Sequence, residues 1–254
     1  MNIVVIEKLV PDLVEELEIS DTGTSLDMEW LRLIINEFDD HALEQAILIK
    51  ESSDAHITVI SPQFEGVDDI LFTAISKGAD RVIKLAGDFE NDLNSHALAR
   101  TLSNIVKEIN PDLVLTGVQA NNDLDGSVGP LLSEYLGIPY VGYVAGVSIE
   151  NENVKVRKEY PGGLGAEMLV TMPALLGIQA AESPPRYVAI SKIRQAMKTA
   201  EIVEMDVSDL DTSGGPPVNR MYLPESGERA TMIEGDEEQV AARLIEIFKE
   251  LDVL

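Results

Sequence analysis

Four short runs rich in aliphatic and β-branched residues mark the first half of the chain, at 2–6, 57–60, 81–85 and 112–116. Their length and lack of alternation predict strands buried on both faces. The stretches between them follow a different period. Ala42, Leu43, Ala46, Ile47 and Ile49 recur at helical spacing up to Lys50. Residues 67–76 predict a helix closed by Gly78, and 96–109 a helix with Leu98, Leu102, Ile105 and Ile109 on one face. Pro111 stops that helix, and Leu131 to Leu136 predicts another after the fourth strand. Strand and helix therefore alternate from residue 2 to about 137. That order predicts right-handed βαβ units and a doubly wound, mostly parallel α/β sheet.

The texture changes from Gly142 onward. Residues 144–149 and 154–157 predict a hairpin turning through 150–153, and 168–181 is expected to continue as extended structure. Residues 191–198 look helical. The run Ser213-Gly214-Gly215-Pro216-Pro217 reads as a linker, and Asp236 as the N-cap of a last helix over about 237–251. The division expected is an α/β domain over 1–212, with an exposed loop near 184–198, and a C-terminal linker and helical arm over 213–254.

Charge narrows the function. The chain has 45 acidic and 19 basic residues, a formal net charge of -26, which repels phosphate backbones and argues against nucleic acid. The acidity fits either a solvated surface or steering toward a basic partner. There is no cysteine, so disulfides, thiolate nucleophiles and Cys-ligated clusters are excluded. His41, His56 and His96 lack metal-ligand spacing. No nucleophile elbow or signal-peptide pattern is present, and the apolar stretch 168–181 is broken by Pro173, too short for a membrane span. These features predict a cytoplasmic protein without direct membrane insertion.

In a doubly wound sheet, ligands lie at the carboxyl ends of the strands, so the loops after Ile6, Ile60 and Thr116 are the places for chemistry. The third loop, 117–130, carries glycines and ends in Pro130 at a helix start, where free N–H groups attract anions. Asp123 and Asp125 count against a phosphate there. Farther on, Pro184-Pro185-Arg186-Tyr187 reads either as a stiff solvated turn or as an interaction loop, since Arg and Tyr are frequent at interface hot spots.

Several of these segments resemble the β subunit of electron transfer flavoproteins. Lys8-Leu9-Val10-Pro11-Asp12 is similar to a motif after that family's first strand, although Glu7 stands where an apolar residue is usual. Asn36-Glu37-Phe38-Asp39-Asp40, the Gly117-x-Gln119-Ala120 loop, Gly162-Gly163, Pro185-Arg186-Tyr187 and Ile233-Glu234-Gly235-Asp236 extend the likeness over nearly the whole chain. It departs from the pattern at Asn121-Asn122, and one extra residue lies in Gly162-Gly163-Leu164-Gly165-Ala166-Glu167.

The resemblance implies a Rossmann-like, adenine-nucleotide-binding fold that is not an enzyme by itself. It implies AMP in this chain, held by Ile6, Asn36, Phe38, Asp39 and Ser61 from one side and by Gly117, Gln119, Ala120, Asn121, Asn122, Asp123, Ser127, Val128 and Gly129 from the other. It also implies an α subunit carrying the redox-active FAD, faced by Glu159. Arg186, Tyr187 and the aliphatic anchor Ile190 would meet a flavin-dependent dehydrogenase, such as an acyl-CoA dehydrogenase. Two alternatives stay open. An electron-bifurcating member would bind a second FAD and NADH. The run Asp88-Phe89-Glu90-Asn91-Asp92-Leu93-Asn94 lacks the glycines of that type, whereas Asn121-Asn122 leaves the nucleotide undecided. A stand-alone nucleotide sensor like the universal stress proteins would need neither a partner nor the Pro-Arg-Tyr loop.

Overall fold

The computed structural model describes residues 1–254 except 88, 90–93, 124–125, 208–209, 225–226, 228–229 and 254. Its framework is a nine-stranded sheet. The strands are β1 (Asn2–Ile6), β4 (His56–Pro62), β5 (Arg81–Ala86), β6 (Leu113–Gly117), β7 (Tyr140–Glu150), β8 (Asn153–Tyr160), β9 (Leu164–Thr171), β10 (Ala174–Ile178) and β11 (Ile202–Asp206). In space they run β11-β5-β4-β1-β6-β10-β7-β8-β9. All neighbours from β11 to β7 are parallel, and the β7–β8 and β8–β9 pairs are antiparallel, so β8 alone runs against the other strands of this sheet.

Helices cover both faces because alternate residues of each buried strand need cover on both sides. Ile3 and Val5 of β1 face α1 (Glu37–Ser52) and α2 (Val67–Lys77). Val4 and Ile6 face α3 (Ser95–Ile109) and α4 (Val128–Leu136). The chain winds outward from β1 to β4 and β5, then returns across it to β6. The strand order therefore reverses between β1 and β6, which makes their carboxyl ends the crevice of the fold.

Four features differ from the sequence expectation. The segment after Ile6 forms a small antiparallel pair, β2 (Leu9–Pro11) with β3 (Leu33–Ile35). Helix α1 starts at Glu37, five residues before its apolar stripe, where Glu37, Asp39 and Asp40 complement the helix dipole. The stretch 168–181 is not one extended segment. It divides at Met172-Pro173 into β9, whose side chains alternate in exposure, and β10, buried throughout and inserted between β6 and β7. Strand β11 at the opposite edge carries Glu204 and Asp206, which hide its apolar character in the sequence.

The end of the chain is built differently. Asn94 and Arg100 of the α3 start hold the backbone oxygens of Asp211, Thr212, Ser213 and Gly214. Beyond them, α6 (Glu237–Glu250) opens with the expected cap at Asp236, here a full capping box with Gln239. None of its described residues is buried. Among the described residues no helix is long and apolar enough to cross a membrane.

Candidate functional site

The crevice between β1 and β6 is lined by Ile6, Lys8, Asn36, Asp39, Leu98, Thr116, Gly117, Gln119, Asp123 and Val128. The first turn of α1 closes one side of it. Asp39 accepts the backbone N–H groups of Gly117 at 2.8 Å and of Lys8 at 3.0 Å, so one carboxylate ties the ends of β6 and β1 together. Asn36 donates its side-chain amide to the Gln119 carbonyl at 2.9 Å. Gly117 is required for this approach. A Cβ there would lie 2.4 Å from Asp39 Oδ1 and 2.7 Å from Phe38 Cβ.

The far wall is the loop leading to α4. Asp123 forms an ion pair with Lys8 and accepts the Ala120 N–H at 3.0 Å, so its charge is already matched. Asn121 donates to the Pro11 carbonyl at 3.1 Å, fastening the loop to β2. Asp125 lies outside the described residues. Ser127 makes no side-chain cap at the start of α4, and the first turn has no acidic residue. The N–H groups of Val128 and Gly129 thus begin a helix without an intrahelical acceptor, which is the arrangement that binds anions. Beside them the buried Thr116 hydroxyl has no hydrogen-bond partner among the described residues. These donors fit a phosphate or ribose oxygen. Free space in the crevice is only about 20 Å³, room for a water or two, so a nucleotide enters only if the walls part.

Burial makes this end of the sheet electrostatically unusual. It pushes Asp39 up to about 7, against the opposing pull of Lys8 and of the backbone donors of Lys8 and Gly117. Glu7, the next residue after Ile6, points to the opposite face and is fully buried, with no hydrogen-bond partner for either carboxylate oxygen among the described residues. Burial raises it well above the usual carboxylate range, and the neighbouring Asp40 and Asp39 raise it further, outweighing Lys77. Lys77 itself is paired with Asp40.

A second site lies on the same helix. His41, Glu44 and Gln45 of α1 accept the backbone N–H groups of Ala181, Arg186 and Glu182 at 3.2, 2.9 and 3.3 Å. Glu44, only 2% exposed, also receives the Arg186 guanidinium at 2.8–3.0 Å, while Glu51 takes its other nitrogen at 2.7 Å. Arg186 is thereby committed to its own chain. The two residues beside it are not: Tyr187 is 88% and Ile190 61% exposed. Ile190 opens α5 (Ile190–Thr199).

Comparison with known proteins gives this arrangement its context. A family model described as the electron transfer flavoprotein domain matches residues 28–210. A protein of Methylophilus methylotrophus named electron transfer flavoprotein subunit beta is 35% identical, with 98% of each chain covered. One of the same name from Clostridium acetobutylicum is 32% identical, again over 98% of each. Protein FixA of Azorhizobium caulinodans is 29% identical over 98% of this chain and 94% of its own. The chain belongs to the electron transfer flavoprotein β family.

An electron transfer flavoprotein β subunit implies an α subunit as partner, and electron transfer is the function these relatives favour over a stand-alone nucleotide sensor. Of the residues that the family motifs select, Ile6, Asn36, Asp39, Gly117, Gln119, Asp123 and Val128 meet around the crevice. Phe38 touches it through its Cβ beside Gly117, and Ala120, Asn121 and Ser127 lie in the loop wall. Asn122 is exposed there. Ser61 is buried at the end of β4, its hydroxyl donating to the Pro62 carbonyl at 3.3 Å. Gly129 has a packing role, because a Cβ there would lie 2.9 Å from the Tyr140 ring. Glu159 sits near the exposed β8–β9 turn at Gly162 and Gly163, both with positive φ, and pairs with Arg157 at 3.4 Å. The segment 88–94 that bears on bifurcation lies largely outside the described residues.

Three participants escaped the sequence reading. Thr116 lines the crevice beside Lys8, whose motif the sequence had singled out, and Glu44 and Gln45 anchor the exposed loop. His41, Glu44 and Gln45 at i, i+3 and i+4 do lie on one helical face, which is the signal that was available.

Proposed function

We propose that this chain holds AMP in the β1–β6 crevice and pairs with an FAD-carrying α subunit, the heterodimer passing electrons from a flavin-dependent dehydrogenase to a further acceptor in the cytoplasm. The start of α4, which shares the crevice at the switch point with Asn36 and takes no cap from the Ser127 side chain, carries this reading, in a chain whose relatives include β subunits matched over 98% of their length. In it, Val128 and Gly129 N–H groups and the Thr116 hydroxyl would take phosphate or ribose oxygens, and Asn36 and Gln119 would border the adenosine.

The FAD of the complex supplies the redox chemistry, and this chain supplies position. Leu244, Ile245, Phe248 and Leu251 on and just past α6 remain 38–65% exposed, an apolar surface suited to a partner subunit. Glu159 and the β8–β9 turn would face the flavin, and the loop ending in Tyr187 and Ile190 would meet the dehydrogenase.

Co-expression with the neighbouring α gene tests the reading directly, by release of nucleotides from the denatured complex. One FAD and one AMP per heterodimer is the expected result. Two FAD without AMP would make it the bifurcating type, and a chain that purifies alone without flavin would overturn the reading. Within the complex, Ile190→Ala is expected to raise the KM for a donor dehydrogenase by about tenfold at unchanged FAD content, the loss of one buried aliphatic anchor. A fall in FAD content instead would make the loop structural.

A further inference from the structure

Tyr140, the first residue of β7, is given room by three glycines. A Cβ on Gly142 would lie 2.5 Å from its hydroxyl oxygen, one on Gly177 2.6 Å from the same oxygen, and one on Gly129 2.9 Å from a ring carbon. Gly142 is two residues further along β7, Gly177 stands in the neighbouring β10, and Gly129 lies in the first turn of α4. The strand pairing bends at the same place. Leu176 faces Val141 and Ile178 faces Val144, so Gly142 and Tyr143 share the one partner Gly177, a β-bulge in which Tyr143 takes a φ of 57°. The phenol thus passes Gly142 and Gly177 and ends at the start of α4.

It meets a second hydroxyl there. Thr116 Oγ1 and the Tyr140 hydroxyl both lie 3.3 Å from the point that a Gly129 Cβ would occupy. Thr116 is 3% exposed and its hydroxyl bonds nothing among the described residues, nor does the Tyr140 hydroxyl. Packing does not call for a phenol, since phenylalanine would fill the same space without a polar atom to satisfy. Burial, with Tyr143 beside it, pushes the phenol up to about 12, so it keeps its proton and can donate at neutral pH. The α4 start adds N–H groups without intrahelical acceptors. Asp123, the carboxylate of the adjoining loop, is occupied by Lys8. A group of donors converging on one point suits an oxyanion.

We propose that the Tyr140 and Thr116 hydroxyls, with the first turn of α4, hold the phosphate of the nucleotide, and that Tyr140 makes the crevice select a nucleotide over its nucleoside. This deepens the reading of the crevice as an AMP site and rests on it. Asn36 and Gln119 border the adenosine, so the two ends of the ligand are read by different walls. The net charge of -26 opposes a phosphate, so range decides which effect wins. Screening confines charge interactions between exposed groups to about 8 Å at physiological ionic strength, whereas hydrogen bonds to a charged acceptor act at contact and are about twice as strong as neutral ones. The local donors therefore prevail over the distant acids.

The test uses the purified FAD-loaded heterodimer, freed of its nucleotide by dialysis, with AMP and adenosine as probes in titration calorimetry. Tyr140→Phe is expected to raise the AMP Kd about tenfold and to leave the adenosine Kd as it is, the mark of a donor lost from a charged acceptor. Thr116→Val should act in the same direction, and the double variant should fall short of the product of the two, because both hydroxyls serve one group. FAD content and thermal midpoint of the nucleotide-free Tyr140→Phe complex should match the parent, since the hydroxyl bonds nothing in the chain itself. A lowered midpoint or FAD content would make the phenol structural and overturn the proposal. So would an unchanged AMP Kd in both single variants, or an equal rise for AMP and adenosine, and in either case AMP would remain the ligand of the crevice. A parent complex that binds neither AMP nor adenosine would remove the AMP reading, and the proposal with it.

Discussion

Replacing Glu7 with leucine is expected to stabilise the fold by about 2 kcal/mol at pH 8, the direction found when buried ionisable groups give way to apolar ones of similar volume. Few single substitutions of a fully buried residue stabilise. This one should, because both Glu7 oxygens lack hydrogen-bond partners among the described residues and the side chain lies among the core residues at the end of β1. The sign of its pH dependence follows from the raised carboxyl. A group that holds its proton more tightly folded than unfolded favours the fold below its unfolded value, near 4.5. That contribution is lost as pH climbs through the folded value. Asp39 acts in the same sense between 3.8 and about 7. The gain from Glu7→Leu should therefore be smaller at pH 5 than at pH 8. Urea unfolding of parent and variant at both pH values checks this. A leucine variant no more stable than the parent, or an equal gain at both, would mean that Glu7 has a partner not accounted for. Lys77 would be the first suspect, since it already pairs with Asp40 nearby.

Gly117→Ala should have the largest destabilising effect near the crevice, about 3 kcal/mol, with nucleotide content of the purified complex falling by about tenfold. The added methyl would overlap Asp39 Oδ1 at 2.4 Å, Phe38 Cβ at 2.7 Å and the Asp39 nitrogen at 2.9 Å. All three belong to the first turn of α1, so that turn must withdraw from β6. Withdrawal breaks the Asp39 bond to the Gly117 N–H and strains the Asn36 bond to Gln119. Gly165→Ala is the control. Its Cβ would meet only the Lys158 carbonyl, at 3.7 Å, and the change should stay within about 0.5 kcal/mol. A Gly117→Ala protein with parental stability and full nucleotide content would show that the α1 turn does not close the crevice.

Much of the fold was legible because its signals are local. Runs such as 57–60 and 112–116 can be satisfied only in a covered parallel sheet, and Gly78 and Pro111 end their helices by backbone chemistry alone. Strands β2 and β3 were not legible, since three residues are too few to show a period. The stretch 168–181 misled for another reason. Its two halves are both extended and differ only in what lies beside them, and the insertion of β10 between β6 and β7 is a choice among distant partners.

The site divides along the same line. By itself the sequence determined the alternation that builds a doubly wound sheet, the loops at its carboxyl end and the motifs that place the chain in its family. Each depends on residue type and spacing along the chain. Only the tertiary structure decided that Asp39 would bind Gly117 across 78 positions, that Arg186 would be spent on Glu44 while Ile190 stayed free, and that Glu7 would be sealed without a partner. Those outcomes depend on which surfaces α1 brings together, and burial, not composition, sets the energy of a charge once it is there.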